Sequence, residues 1–339
     1  MFQTEINLAL QALGSKPLTD FMKLVTASGY YWFISALVMA VMLGLSLRKG
    51  FLLLQVMVWT GIVTEIVKLV FGLPRPFFAD SRVMCLEDGR NISTGFRALG
   101  GQGFWDLPSR QVIDAYRLLR ESFGFPSGHS SSAMMMWGGL AVLFRSRLLG
   151  WLSPLLISLV AFSRLYLGVH FLADIFGGLL LGGILLYSFH RLLRQPERQK
   201  HFFSTLARPA VASLPVLLAL AIMFIVPLVL VVFSLASPVI VGYYVGLNAA
   251  FMLRLRRGLP ADDGTGWARA ARVLLGGLFF FLIQAGLQLG LDRLKAPVDS
   301  HWLRFLVAFA TCFLSFWGGL MLFERLGLYR HKKPAGEQS

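Results

Sequence analysis

Lys68, Arg75, Arg164, His129, His170 and Asp174 are the residues of this sequence best equipped for chemistry, and they sit in a chain that is otherwise strongly apolar. An ionisable side chain at mid-bilayer costs on the order of 3 kcal/mol, so those kept in apolar helices are read first as functional. They form three clusters. Lys68 is followed seven residues later by Arg75-Pro76, Pro126-Ser127-Gly128-His129-Ser130 opens an apolar stretch, and Ser163-Arg164 precedes His170 and Asp174. The chemistry that uses all of them is phosphoryl transfer. Lys68, Arg75 and Arg164 can neutralise a phosphate, the arginines through a planar fork. Pro126-Ser127-Gly128 ahead of a helix offers free backbone N–H groups and the positive helix end to an anion, with the Ser127 hydroxyl as a further donor and Gly128 permitting close approach. His170 and Asp174, four apart, are expected on one helical face. There the carboxylate can hold one imidazole nitrogen while the other attacks phosphorus. His129 can protonate the leaving oxygen.

Each residue also has a plain reading. Arg75 alone is an interfacial anchor, His170 alone a packing or capping residue, and Asp174 alone a helix N-terminal charge. The joint pattern demands several coincidences at fixed spacing, and the functional reading is preferred.

The elements that must position these residues are membrane helices. Of the 339 residues 56% are hydrophobic and only 14% charged, with a mean hydropathy of +0.66, whereas a soluble domain carries charge at about a quarter of its positions. Apolar runs of spanning length are expected at 29–47, 51–72, 127–144, 148–166, 170–190, 210–234, 238–253, 271–291 and 302–323, the seventh being the weakest because it is short and carries Asn248. The expected fold is all-α, a polytopic transmembrane bundle of about nine spans.

The net charge of +15 resides in short basic runs such as Arg254-Leu255-Arg256-Arg257, with no interleaved aromatics. It is read as topology rather than as a nucleic-acid surface. Arg48-Lys49, Arg145 and Arg147, the stretches 191–208 and 254–272, and Arg330, Lys332 and Lys333 share one side if the helices alternate. That side is cytoplasmic. All three clusters then meet at the opposite face, periplasmic in a bacterium and lumenal in a eukaryotic endomembrane. Within the long outward loop 73–126, Val112, Ile113, Tyr116 and Leu119 recur at helical spacing and imply an amphipathic helix lying across the surface, beside the site.

Together the clusters resemble the three signature motifs of the type 2 phosphatidic acid phosphatase (PAP2) superfamily. The motifs run from Lys68 to Asp174, and every signature position is filled in order. The resemblance implies a PAP2-type helical core in which His170 is the nucleophile, Asp174 its orienting partner and His129 the general acid. Lys68, Arg75, Ser127, Gly128 and Arg164 then bind phosphate. It also implies a reaction without a divalent metal, in keeping with the lack of Cys/His ligand spacing, so no metal and no other cofactor is expected. The nine-span layout is similar to the glucose-6-phosphatase branch. Four further spans after the motif core depart from the simplest members and bear on substrate class more than on reaction.

The expected organisation is an N-terminal interfacial segment 1–28, a catalytic membrane core 29–192, a C-terminal four-helix extension 193–328 and a disordered tail 329–339. The expected partners are a membrane lipid phosphate and the bilayer, with no nucleic acid. Three enzymatic readings remain open: hydrolysis of a lipid phosphate or diphosphate, transfer of phosphate to another lipid, and hydrolysis of a sugar phosphate. A transporter is the reading from another class, but its polar groups belong near the bilayer midplane in paired halves. Outside the motifs, Glu65 is read as an ion-pair partner of Lys68, Gln284 and Gln288 as helix–helix hydrogen bonds, Gly182-Gly183 as close packing and Met134 to Met136 as filler. Cys85 and Cys312 are not expected to pair, no removable signal peptide is seen, and Asn91-Ile92-Ser93 fits a glycosylation sequon.

Overall fold

The structure, a computed structural model, describes residues 1–88, 94–119, 122–193, 195–207, 214–294 and 300–329. The sequon Asn91-Ile92-Ser93, the basic residues Arg208, Arg330, Lys332 and Lys333, and the tail beyond Tyr329 lie outside the described residues. Among the described residues every regular element is helical. The all-α expectation holds.

The chain divides into two compact units, one of Met1–Leu37 and Leu53–Arg194, the other of Val38–Leu52 and Gln195–Ser339. Elements of the first unit are α1 (Glu5–Ala12), α2 (Lys16–Ala27), the start of α3 (Tyr31–Met39), α4 (Leu47–Phe71) from Leu53 onward, α5 (Pro76–Ala79), α6 (Arg110–Leu118), α7 (Gly128–Phe144), α8 (Arg147–Tyr166) and α9 (Leu172–Leu193). Segment 1–28 falls within the first unit. It is held by polar and apolar contacts: Asn7 is fully buried and donates to the carbonyls of Leu165 (2.8 Å) and His170 (3.1 Å), and Phe2 and Met22 join the apolar core.

Close helix approach is what builds this unit. Gly178 and Gly182 of α9 lie one turn apart, where an added Cβ would fall 2.4 Å from the Ser127 carbonyl oxygen and 2.8 Å from that of Ser131. Small residues at such spacing let membrane helices pack backbone to backbone. Gly183, expected to pack in the same way, faces open space, because only one of two adjacent helical positions can point at a given neighbour.

The loop helix α6 exists where periodicity placed it, yet Val112, Ile113 and Tyr116 are buried in the protein core beside Phe77, Phe78 and Leu167 rather than laid on the surface. Leu119 stays exposed at its C-cap.

The second unit contains α10 (Pro196–Ala207), α11 (Leu214–Leu220), a π-helical segment Ala221–Ile225, α12 (Val226–Val232), α13 (Pro238–Arg257), α14 (Gly266–Arg293) and α15 (His301–Arg325). Gly242 and Gly246 of α13 meet the Phe305 and Phe309 carbonyls of α15 in the same backbone-close manner. Gln284 joins helices as expected, accepting from Tyr243 (3.2 Å) and Thr311 (2.8 Å), whereas Gln288 bonds Asp292 within its own helix. Tyr329, expected in a disordered tail, is buried under the Arg272 guanidinium, 4.1 Å from its ring.

Among the described residues six helices are long and apolar enough to cross a membrane, or seven counting the bent pair Lys16–Ala27 and Tyr31–Leu45 as one span. The most apolar stretch of α14 has none of its residues buried in the protein, a pattern that makes physical sense against lipid. Span 238–253, the weakest by sequence, is the most buried of the six. Its Asn248 is satisfied inside by the Met223 carbonyl at 3.1 Å.

Candidate active site

The anion-binding end of α7 forms because Ser127 caps it. The buried Ser127 Oγ accepts from the Ser130 N–H at 3.4 Å and the Ser130 hydroxyl at 3.1 Å, which leaves its own proton to donate outward. Gly128 is the first helical residue, and a Cβ there would lie 3.6 Å from the Lys68 ammonium. The cation therefore stands beside the free N–H groups of the helix end, a ready anion site.

Lys68 ends α4, is 6% exposed, and pairs with Glu65 at 2.8 Å as expected. It also donates to the Ser122 hydroxyl at 3.2 Å. Arg75 donates through Nε to the Ser122 carbonyl (3.0 Å), through Nη2 to the Ser122 hydroxyl (3.4 Å) and through Nη1 to the Val169 carbonyl (3.2 Å). Val169 directly precedes His170, so this last bond ties the first cluster to the third.

His170 and Asp174 are paired, but not by sharing a helical face. The helix starts at Leu172, and His170 lies in the turn before it. Asp174, in the first helical turn, reaches back: its Oδ2 accepts the Phe171 N–H at 2.9 Å and lies 3.2 Å from His170 Nδ1. A carboxylate at the third helical position commonly caps the entering N–H in this way, and here the same oxygen fixes the ring. Gly168, at φ +74°, makes the preceding turn in a conformation that favours glycine. The Ser127 N–H donates to the Asp174 carbonyl at 2.8 Å, which joins the α7 cap to the His170 pair.

Arg164, 2% exposed, spends its guanidinium on protein partners: Nη1 on the Thr26 hydroxyl (2.7 Å) and Glu87 Oε1 (2.6 Å), Nη2 on Glu87 Oε2 (3.0 Å). Glu87 also accepts from the Tyr30 hydroxyl. Burial pushes the Glu87 carboxyl up, but the bonds and charge of Arg164, the Tyr30 bond and the Arg75 charge outweigh it, so its pKa falls below the ordinary carboxylate value. The Tyr30 ring meets that of His129 edge-on, with centroids 5.1 Å apart. Three buried atoms of the motif residues, His129 Nε2, Arg164 Nε and Asp174 Oδ1, have no hydrogen-bond partner among the described residues.

The structure thus links the three clusters through direct bonds and near approaches in the first unit. Reading by sequence did not single out Glu87, Tyr30, Thr26, Ser122 or Asn7. All act across long separations in the chain and belong to no spaced motif; position within the outward loop was the only signal for Glu87 and Ser122.

The PAP2 superfamily matches residues 49–198, and the transmembrane extension of PAP2 superfamily phosphatases matches residues 239–332. The two take in more than half of the chain, which belongs to the PAP2 superfamily. The second match also gives a family place to the C-terminal helices that set this chain apart from the simplest members. Among curated proteins the chain is similar to undecaprenyl-diphosphatase BcrC of Bacillus subtilis, 40% identical over 75 residues (21% of this chain, 37% of the relative). It is similar to the lipid A 4'-phosphatase of Porphyromonas gingivalis, 35% identical over 60 residues (18% and 25%). It also resembles phosphatidylglycerophosphatase B of Bacillus subtilis, 35% identical over 75 residues (20% and 37%). The matched segments span well under half the length of these relatives. No solved structure matches.

Proposed function

We propose that the chain is a metal-independent phosphatase that hydrolyses a phosphomonoester or diphosphate of a membrane lipid through a phosphohistidine. The observation that carries this reading is the His170–Asp174 pair bonded through backbone to the α7 cap, with Lys68 at the same helix end and Arg75 on the carbonyl before His170. Superfamily membership and relatives named for lipid phosphates and diphosphates point the same way.

In this mechanism the phosphate rests against the N-terminus of α7, held by Lys68, Arg75, Arg164, the Ser127 hydroxyl and the N–H groups that Gly128 leaves accessible. His170, its Nδ1 side held by Asp174, attacks phosphorus through Nε2. The bond from phosphorus to the leaving oxygen breaks, and His129 donates a proton to that oxygen. Water then attacks the phosphohistidine, His129 takes its proton, and inorganic phosphate leaves with His170 restored. Since the transferring group is almost wholly charge, positioned cations and N–H groups supply most of the stabilisation.

The site is assigned to the face opposite the basic loops, hence the periplasmic face of a bacterial inner membrane. Cysteines introduced in the 80–110 loop, in a background lacking Cys85 and Cys312, should react with an impermeant thiol reagent from outside, and one near Arg198 should not. The reverse pattern contradicts the topology.

The function itself is tested by phosphate release from detergent-solubilised full chain with EDTA present. The panel should cover phosphatidic acid, phosphatidylglycerophosphate, prenyl diphosphates, sphingoid phosphates and glucose 6-phosphate. Lipid substrates are expected to lead, with inhibition by vanadate, which mimics the transferring phosphoryl group. Activity that is lost on chelation and restored by Mg²⁺ contradicts the metal-free reading. A preference for glucose 6-phosphate, or phosphate passed to a lipid acceptor instead of water, replaces the substrate or the acceptor.

A further inference from the structure

We infer that Glu87 and Tyr30, outside all three motifs, are positioning residues that fix the Arg164 guanidinium so that its side face is presented to the substrate phosphate. The inference rests on the phosphatase reading above and deepens it.

A guanidinium has five N–H groups, and it offers two forks to oxyanions: the end fork of Nη1 and Nη2, and the side fork of Nε and Nη2. In Arg164 the end fork is filled by both oxygens of Glu87, at 2.6 and 3.0 Å, and the second Nη1 hydrogen goes to the Thr26 hydroxyl at 2.7 Å. That leaves the side fork, and its Nε is buried with no partner among the described residues. A phosphate on the side fork does not compete with Glu87. A carboxylate held only as an internal plug would need no further support, yet Glu87 is itself fixed by the Tyr30 hydroxyl.

Tyr30 makes the second link. Its ring lies edge-on to His129 at 5.1 Å, and the preceding residue must be small, since a Cβ on Gly29 would fall 2.2 Å from the His129 ring carbon Cδ2. The turn between α2 and α3 therefore covers the proposed general acid and, through Tyr30 and Glu87, sets Arg164 relative to it. Buried ion pairs contribute little net stability when geometry is all they supply, but they do fix one arrangement of the charged groups.

The test uses the full chain in detergent, with inorganic vanadate as a binding probe measured by calorimetry and p-nitrophenyl phosphate as substrate. Glu87→Gln should weaken vanadate binding about tenfold and lower kcat/KM to match, since loss of the charged end-fork partner lets the guanidinium turn. Tyr30→Phe should show the same change in smaller measure, about threefold. In an Arg164→Ala background, Glu87→Gln should have no further effect on either quantity, because it acts only through Arg164. Thermal midpoints measured alongside identify any variant that fails to fold, and Glu87→Gln is near-isosteric to avoid that.

Vanadate binding that is unchanged or tighter in Glu87→Gln overturns the inference, as does an equal loss in the Arg164→Ala background. Vanadate binding by a wild-type chain that releases no phosphate from any ester contradicts the phosphatase reading alone, and the binding arms still decide the role of Glu87.

Discussion

The helix pairs α7/α9 and α13/α15 are built by one device and used for different ends. In both, two glycines four residues apart bring backbones together: Gly178 and Gly182 in the first, Gly242 and Gly246 in the second. In α7/α9 the close approach brings the cap of one helix against the start of the other, and the groups so joined are Ser127, His170 and Asp174. In α13/α15 the backbone it meets belongs to Phe305 and Phe309, whose rings stack in turn with Phe313 and Trp317 along α15. Both units bury charge as well. In the second, Arg254 pairs with Glu324 and lies over the Trp317 ring. In the first, Arg164 pairs with Glu87; among the described residues Arg164 and Arg254 alike keep a buried Nε without a partner, and the first unit adds His129 Nε2 and Asp174 Oδ1. Tight packing serves equally to stabilise and to aim, and the polar groups placed at the contact decide which.

Changes at these places should separate along the same line. Asp174→Asn should keep the fold yet lower kcat about 10³-fold, since the amide orients imidazole less well and cannot stabilise positive charge on it. His129→Ala should cost about 10²–10⁴-fold on an alkyl phosphate, but within about tenfold on p-nitrophenyl phosphate, whose leaving group needs little protonation. Gly178→Leu forces α9 off the Ser127 carbonyl and should lower kcat/KM about 10²-fold through misplacement of the His170 turn. Gly246→Leu, with the same clash in the second unit, should lower the thermal midpoint while kcat/KM per folded molecule holds. Arg254→Ala leaves Glu324 unpaired and should cost on the order of 2–3 kcal/mol of stability, again without a kinetic effect. A kinetic loss from either second-unit change at full folding would end the proposed division of labour.

The smallest expected effect is a pH dependence of the first unit. Asp80 is buried, and although burial alone raises its pKa, bonds from Arg82 and Thr4 bring it down from 3.8 to about 2. A carboxylate depressed in the folded state contributes stability above its unfolded pKa and loses it as pH falls through the folded one. Thermal midpoints should therefore decline between about pH 4 and pH 2, and Asp80→Asn should flatten that part of the profile.

Much of the candidate site's local geometry could be read from sequence because its signals are local. The Ser127 cap, Gly128 at the helix start and the His170–Asp174 spacing each announce themselves within a few residues. Even there the physics differed in one place: Asp174 reaches His170 by capping the helix, not along its face. What could not be read is what arrives from afar. Glu87 meets Arg164 across 77 positions and Asn7 meets His170 across 163. A periodic pattern says that a helix has an apolar side but not what covers it, which is why α6 was legible as a helix while its burial was not.

The most direct test of the account is covalent phosphate on the protein. Detergent-solubilised chain turning over a ³²P-labelled lipid phosphate is quenched, and protein-bound label is measured for acid lability and base stability, the signature of phosphohistidine. The account predicts such label in wild type, its loss in His170→Ala, and its persistence in His129→Ala when the leaving group is acidic. Label that survives in His170→Ala but disappears in His129→Ala would show that the nucleophile has been assigned to the wrong histidine.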